Sequence, residues 1–362
     1  MTSNKERPAR VKVRQVKPKV IKIVPVSGTV GDIKVNSATN QVYFVQNENE
    51  VGVLDGKTNQ LISNVKVGEG ATFLTVNSRT NRIYSTNFRD ATVSVIDGKT
   101  HRVITTIPVG EHPFGIGIHL ASNRIYVANT SGSISIISGI SNRVLRTLQV
   151  GGSPSVLGIN ERTNRIYVTN TEHDVVHVID GKTQKMISVI KVGRNPIIAP
   201  SVNMRTNRIY VANNLSRYLS VINGRTNQKS VPAYLGRLQS GLALNPVTNR
   251  IYVTSAQVEG RGKLFVMNGL SNKVLRTLQI PTFTEITLNP QTNHFFVSDS
   301  EKKELIVYSG YTNSRIATLR TGDSPGNMAL NFRTNRLYVG NSGAITVIQD
   351  RKAEKTHYLH IR

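Results

Sequence analysis

Residues 163–170 read TNRIYVTN, and close copies of that string occur seven more times along the chain. It is TNQVYFVQN from Thr39, TNRIYSTN from Thr80, SNRIYVAN from Ser122 and TNRIYVAN from Thr206. It continues as TNRIYVTS from Thr248, TNHFFVSD from Thr292 and TNRLYVGN from Thr334. The Asn residues at its second position are Asn40, Asn81, Asn123, Asn164, Asn207, Asn249, Asn293 and Asn335, spaced by 41, 42, 41, 43, 42, 44 and 42 residues. Eight units of about 42 residues account for 336, and the 26 left over match a distinct N-terminal segment.

Each unit holds four short runs of β character. In the second unit they are ATFLTVN, RIYSTN, TVSVID and RVITTIPV, separated by SRTN, FRDA and GKTH. Alternation and β-branched enrichment argue for strands, and no window carries a long period of 3.6. A repeat of 40–45 residues with four strands is a propeller blade. Helical solenoids are excluded, and β-helix rungs are shorter. The chain therefore reads as all-β, a single-domain β-propeller of eight four-stranded blades, with seven as the alternative. Residues 1–26 form a basic N-terminal arm and residues 27–362 the propeller. KPKVIKIVPVSG, before the first unit, reads like a blade's outer strand and competes with THYLHIR (356–362) to close the ring. The Gly of the DG, NG and SG turns is expected to supply a left-handed backbone position. The Thr-Asn pair is expected to bond nearby backbone. The repeated Tyr43, Tyr84, Tyr126, Tyr167, Tyr210, Tyr252 and Tyr338, with Phe296 in the seventh unit, read as wedges between blades rather than stacking surfaces for bases.

The strings IYVTN and IYVAN, followed by VIDGKT, resemble the YVTN-repeat β-propellers, the YncE-like family, from residue 27 to about 350. The resemblance implies a WD40-like ring whose recurrent residues are structural. Many members of that family carry a signal peptide and seven blades. Here VIKIVPV (20–26) is too short for an apolar leader core and is interrupted by Lys22. The expectation is a cytoplasmic protein, with a surface location by a non-classical route as the alternative.

Composition narrows the classes further. The 362 residues include 46 Lys+Arg against 21 Asp+Glu, a formal net charge of +25, with no Cys and no Trp. Without Cys there is no disulfide framework, thiol nucleophile, iron–sulfur cluster or Cys-ligated zinc. No run approaches the roughly 18 apolar residues of a membrane span.

The charge is unevenly placed. In a propeller the turns joining strands 1–2 and 3–4 lie on one face, and the 2–3 loops and blade-to-blade links on the other. The eight 1–2 turns hold Arg79, Arg82, Arg124, Arg162, Arg165, Arg205, Arg208, Arg250, Arg333 and Arg336, and no acid. The first seven 3–4 turns add Lys57, Lys99, Arg102, Arg143, Lys182, Lys185, Arg225 and Lys273 against Asp55, Asp97 and Asp180. That face carries +15 on this count. The opposite face holds twelve acids, from Glu48 to Asp323, and nine basic residues. The arm adds eight basic residues between Lys5 and Lys22, with one acid, Glu6. A focused positive surface suits phosphate backbones, since a planar guanidinium binds two oxygens. Arg79, Arg82, Arg124, Arg162, Arg165, Arg205, Arg208, Arg250, Arg333, Arg336, Lys57, Lys99, Lys182 and Arg225 are the candidate polyanion-binding residues. The other reading is that duplication copied one turn Arg for packing or solubility. No base-reading helix is evident, so binding would be tolerant of sequence and sensitive to salt.

Catalytic motifs are absent. There is no H-E-x-x-H, G-x-S-x-G, P-loop or EF-hand pattern. The eight His are scattered; His173 and His177 lie on a loop and strand, where that spacing makes no metal-binding face. The links vary from copy to copy, so Glu69, His112, Asn195 and Arg237 are candidate ligands at the channel mouth, where acid–base work on a small substrate such as a lactone is the enzymatic alternative. The leading expectation is a non-enzymatic scaffold whose basic face binds nucleic acid or another polyanion, without a cofactor or metal. A protein-interaction or cell-surface structural propeller is the second reading. Oligomeric state is not legible.

Overall fold

The computed structural model describes residues 12–14, 16–230, 232–256, 261–282, 284–351 and 354–356. Eight antiparallel meanders, seven of them formed by consecutive strands and the eighth completed by an N-terminal strand, make an all-β ring of eight four-stranded blades. The second blade shows the pattern: Ala71–Asn77 is innermost, followed outward by Arg82–Asn87, Thr92–Asp97 and Arg102–Pro108. In every blade the second strand begins at the TNR turn and carries the buried aromatic residue.

The core is divided in the same way as the chain. Among the described residues, eight apolar clusters each join two neighbouring blades. The repeated Tyr of each blade packs into the cluster shared with the following one: Tyr84 meets Ile125, Val127 and Ile137 of the third blade, and Tyr210 meets Ile251, Val253 and Met267 of the sixth. All seven Tyr and Phe296 are fully buried, as wedges must be.

The N-terminal strand closes the ring. Lys19–Thr29 pairs antiparallel with the second half of Arg336–Gln349, whose first half pairs with the innermost strand Met328–Asn331. Arg336–Gln349 supplies both middle strands of the eighth blade, doubling back at Gly343 with φ of +72°. Val24, Val30, Tyr338, Ile345 and Val347 then pack against Ile33, Val42, Phe44 and Leu54 of the first blade. Closure from the opposite end of the chain leaves the ring no open seam. Lys12–Arg14 pairs with Glu354–Thr356. The competing C-terminal string beyond Thr356, and residues 1–11 of the arm, lie outside the described residues.

Two turn assignments change. The turn Gly does not take the left-handed position: Gly56, Gly98, Gly139, Gly181, Gly224, Gly269 and Gly310 all have ordinary φ. That position falls three residues later, at Asn59, His101, Asn142, Gln184, Asn227, Asn272 and Asn313. Gly is needed for room. A Cβ on Gly181 would sit 1.9 Å from Asn164 Oδ1, and one on Gly98 would sit 2.3 Å from Asn81 Oδ1. The TN Asn, in turn, is left-handed in all eight blades, and in all but Asn164 its side chain accepts a bond from the preceding blade.

Candidate polyanion-binding face

The 1–2 and 3–4 turns form one face, stitched together by the backbone. Gly98 N–H donates to Asn81 O at 2.9 Å, and Gly181 N–H to Asn164 O at 2.8 Å. Beneath them runs a belt of Asn side chains. The Asn ending each innermost strand accepts from its own turn and donates across to the next blade's TN Asn. Asn36, Asn77, Asn160, Asn203, Asn245, Asn289 and Asn331 reach Asn81, Asn123, Asn207, Asn249, Asn293, Asn335 and Asn40 at 2.7–3.1 Å. The break falls in the third blade, where His119 replaces the donor and lies 2.8 Å from Ser122 Oγ.

Six of the ten predicted Arg belong to this framework. Arg165 donates to Gly224 O at 2.6 Å, Arg208 to Gly269 O at 2.7 Å and Arg250 to Gly310 O at 2.5 Å, in each case on the following blade. Arg124 reaches Gly181 O and Arg336 reaches Gly56 O in the same way, the latter across the closure. Arg82 instead pairs with Asp97 of its own blade at 2.5 Å. His294 fills the Arg position of the seventh blade and bonds the buried Asp350 of the eighth at 2.8 Å. All six Arg are half-buried.

The remaining four are exposed: Arg79, Arg162, Arg205 and Arg333, each two residues before the TN Asn, on the innermost ring of turns; of these, Arg333 also donates to Ser37 O of the first blade at 3.3 Å. Lys57, Lys99, Lys182 and Arg225 are exposed on the outer turns. The acids of this face are turned inward. Asp55, Asp97 and Asp180 each accept two backbone N–H bonds from their own turn, as in Lys182 and Thr183 to Asp180 at 3.0 and 2.8 Å. The Thr183 N–H holds the Asp180 carboxyl below its ordinary value. Glu161 accepts from Leu120 N–H at 2.8 Å. The cations thus face solvent while the carboxylates serve the turns.

Near the axis the face is not uniformly basic. A cavity of about 400 Å³ opens among the inner strands of blades 5 to 7 and the first turn of the eighth blade, lined by Met204, Leu242, Leu244, Ile286, Leu288 and Phe332, with Arg205 its one charged lining residue.

The channel-mouth candidates each have partners of their own. His112 stacks on Phe88 with ring centroids 4.8 Å apart and lies 2.8 Å from Ser131 Oγ. Glu69 accepts from Asn49 at 3.1 Å, and Asn195 N–H donates to Asp174 at 2.8 Å. Among the described residues no hydrogen bond or ion pair joins any two of Glu69, His112, Asn195 and Arg237. His177 is buried against Asn170 and Met186, and burial, then His173, lowers its pKa.

Two features escaped the reading of the sequence: the apolar sector of the axial mouth, and a run of 78 residues (181–258) with eleven Lys and Arg and no acid. The second was visible as composition; the first required knowing which turns share the mouth.

A scan against protein-family models matches none, and neither does a search of curated proteins. Solved structures share the fold. Hydrazine synthase of Kuenenia stuttgartiensis is 14% identical over 76% of this chain and 94% of that one, with a TM-score of 0.60. The computationally designed Ika8 protein is 15% identical over 90% and 98%, with a TM-score of 0.74. These likenesses show the fold alone. The chain is an eight-bladed β-propeller. Its YVTN likeness rests on the repeated strings.

Proposed function

We propose that the protein is a non-enzymatic scaffold whose turn face binds nucleic acid or another polyanion without sequence specificity. The observation that carries this reading is the division of labour on that face. Arg79, Arg162, Arg205 and Arg333 stand exposed around the axis, Lys57, Lys99, Lys182 and Arg225 stand outside them, and the neighbouring carboxylates are occupied by backbone N–H groups. Exposed guanidinium groups on a rigid ring meet phosphates without ordering cost in the backbone, and their contribution is largely counterion release.

The test is binding of a random-sequence duplex and of polyphosphate across a salt series. Affinity is expected to fall steeply as salt rises. Replacing Arg79, Arg162, Arg205 and Arg333 together by Ala is expected to flatten the log–log salt slope for duplex DNA by about 3 and to leave the fold intact. Binding that ignores salt, or that survives all four substitutions unchanged, contradicts the reading. Arg165, Arg208 and Arg336 do not serve this test, because they are half-buried and bond the next blade, whereas Arg333 is exposed even though it reaches Ser37 O at 3.3 Å.

A further inference from the structure

The opposite face carries an island unlike its surroundings, on blade 5. That blade's outer strand is interrupted, as Gln228–Lys229 and Ala233–Tyr234, with Pro232 between them. Where the third strand begins, Tyr218 pairs with Tyr234, their rings edge-on at 6.4 Å. The same register position holds Glu50 with Lys66, Thr92 with Pro108, Ser133 with Gln149, Val175 with Lys191, Lys263 with Gln279 and Glu304 with Arg320 in other blades. Blade 5 alone among these pairs two aromatic rings, and Tyr234 is 76% exposed.

Arginines and an aliphatic side chain surround the pair. The 2–3 loop, with Leu215 and Arg217, is held between two links. Leu215 N–H donates to Arg194 O at 3.1 Å, Asn214 N–H to Asn195 O at 3.0 Å, Leu238 N–H to Asn214 O at 2.7 Å and Leu235 N–H to Arg217 O at 2.8 Å. Arg194, Arg217 and Arg237 are therefore on one backbone-braced surface, all exposed, with Leu215 43% exposed between them. The nearest acid placed by a contact is Asp174, which already accepts from Asn195 N–H at 2.8 Å and lies 3.8 Å from Lys191.

We propose that this island docks an acidic protein segment carrying an aromatic or aliphatic anchor. Tyr and Arg are the residues that concentrate binding energy at protein interfaces, and Lys and Glu are depleted there. Among the described residues no ion pair engages Arg194, Arg217 or Arg237, and three such guanidinium groups ask for acids from a partner. Leu215, with Ile197 at 44% exposure on the adjoining link, offers aliphatic surface that a phosphate backbone does not use. The backbone ties hold the surface ready, so little ordering accompanies docking. The island is distinct from the polyanion-binding face and lies across the disc from it.

The experiment uses the full chain and three labelled probes: a poly(Glu,Tyr) copolymer, poly-glutamate and poly(dT). Fluorescence anisotropy is expected to show the copolymer bound about tenfold more tightly than poly-glutamate. Tyr234→Ala and Arg217→Ala are each expected to weaken the copolymer about five- to thirtyfold, with unchanged melting, while Tyr234→Phe retains most of the affinity. The Ala variant of Arg79, Arg162, Arg205 and Arg333 is expected to keep copolymer binding. Equal binding of the two polypeptides, or no loss in Tyr234→Ala, overturns the proposal. So does a loss in Tyr234→Ala confined to poly(dT), which assigns the island to nucleic acid. A doubled mass by light scattering that Tyr234→Ala returns to one chain assigns it to a second copy, and overturns it as well.

Discussion

The turn Gly and the TN Asn are one device. The Gly has no Cβ because the Asn side chain occupies that space, and the Asn is left-handed because its Oδ1 must face both the Gly and the preceding blade. Gly181→Ala is expected to destabilise by about 2 kcal/mol, since its Cβ would overlap Asn164. Gly326→Ala, with ordinary φ and nothing nearer than 4.0 Å, is expected to be neutral or slightly stabilising. Denaturant midpoints of the two variants check both signs. The buried phenols make a second prediction. Burial pushes Tyr84 and Tyr126 up to about 12 from an ordinary 10.0. As pH rises, the unfolded chain releases these protons first. Their contribution is therefore fully present below about pH 10 and lost between about 10 and 12. Guanidinium midpoints measured from pH 9 to 12 are expected to fall over that window; a flat profile contradicts it.

Between elements, the conspicuous charge pattern divides into two jobs. An Arg at the start of the second strand bonds the next blade in five of the blades, and an Arg three residues earlier is exposed to solvent, although Arg333 also reaches Ser37 O of the first blade. Arg208→Ala is expected to cost about 2 kcal/mol, because a guanidinium bonded to two carbonyls is lost from a half-buried site. Arg205→Ala, three residues away and exposed, is expected to change stability by less than about 0.5 kcal/mol. Chemical denaturation of the pair separates framework from surface. Equal effects would mean that the division does not hold.

For the whole ring, closure decides integrity. Removing residues 1–29 takes the outer strand from the eighth blade and uncovers Ile345 and Val347, which otherwise pack with Val24. The truncated chain is expected to aggregate or unfold, as measured by circular dichroism and size exclusion. A chain lacking residues 1–11 keeps every strand of the closed ring and is expected to melt like the full protein. A shortened chain without residues 1–29 that remains a stable monomer would show that the closure strand is dispensable. Each blade meets only its neighbours, so stability is a sum of blade and interface terms. A single missing strand therefore acts through the two interfaces of the eighth blade.

The blade count, the strand order, the buried rings and the uneven charge were legible because repetition turns local pattern into global geometry: eight copies of one strand-turn-strand unit admit few arrangements other than a ring. The identity of the closing strand was not, because both ends of the chain offer a short β run, and only packing against the first and eighth blades distinguishes them. Nor was the difference between Arg208 and Arg205, which are equal as residues and three positions apart. Which one bonds a neighbour depends on where the following blade places its turn carbonyl. The island on blade 5 is of the same kind. Arg194, Tyr218, Tyr234 and Arg237 are spread over more than forty residues, and only the backbone bonds between a loop and two links bring them onto one surface.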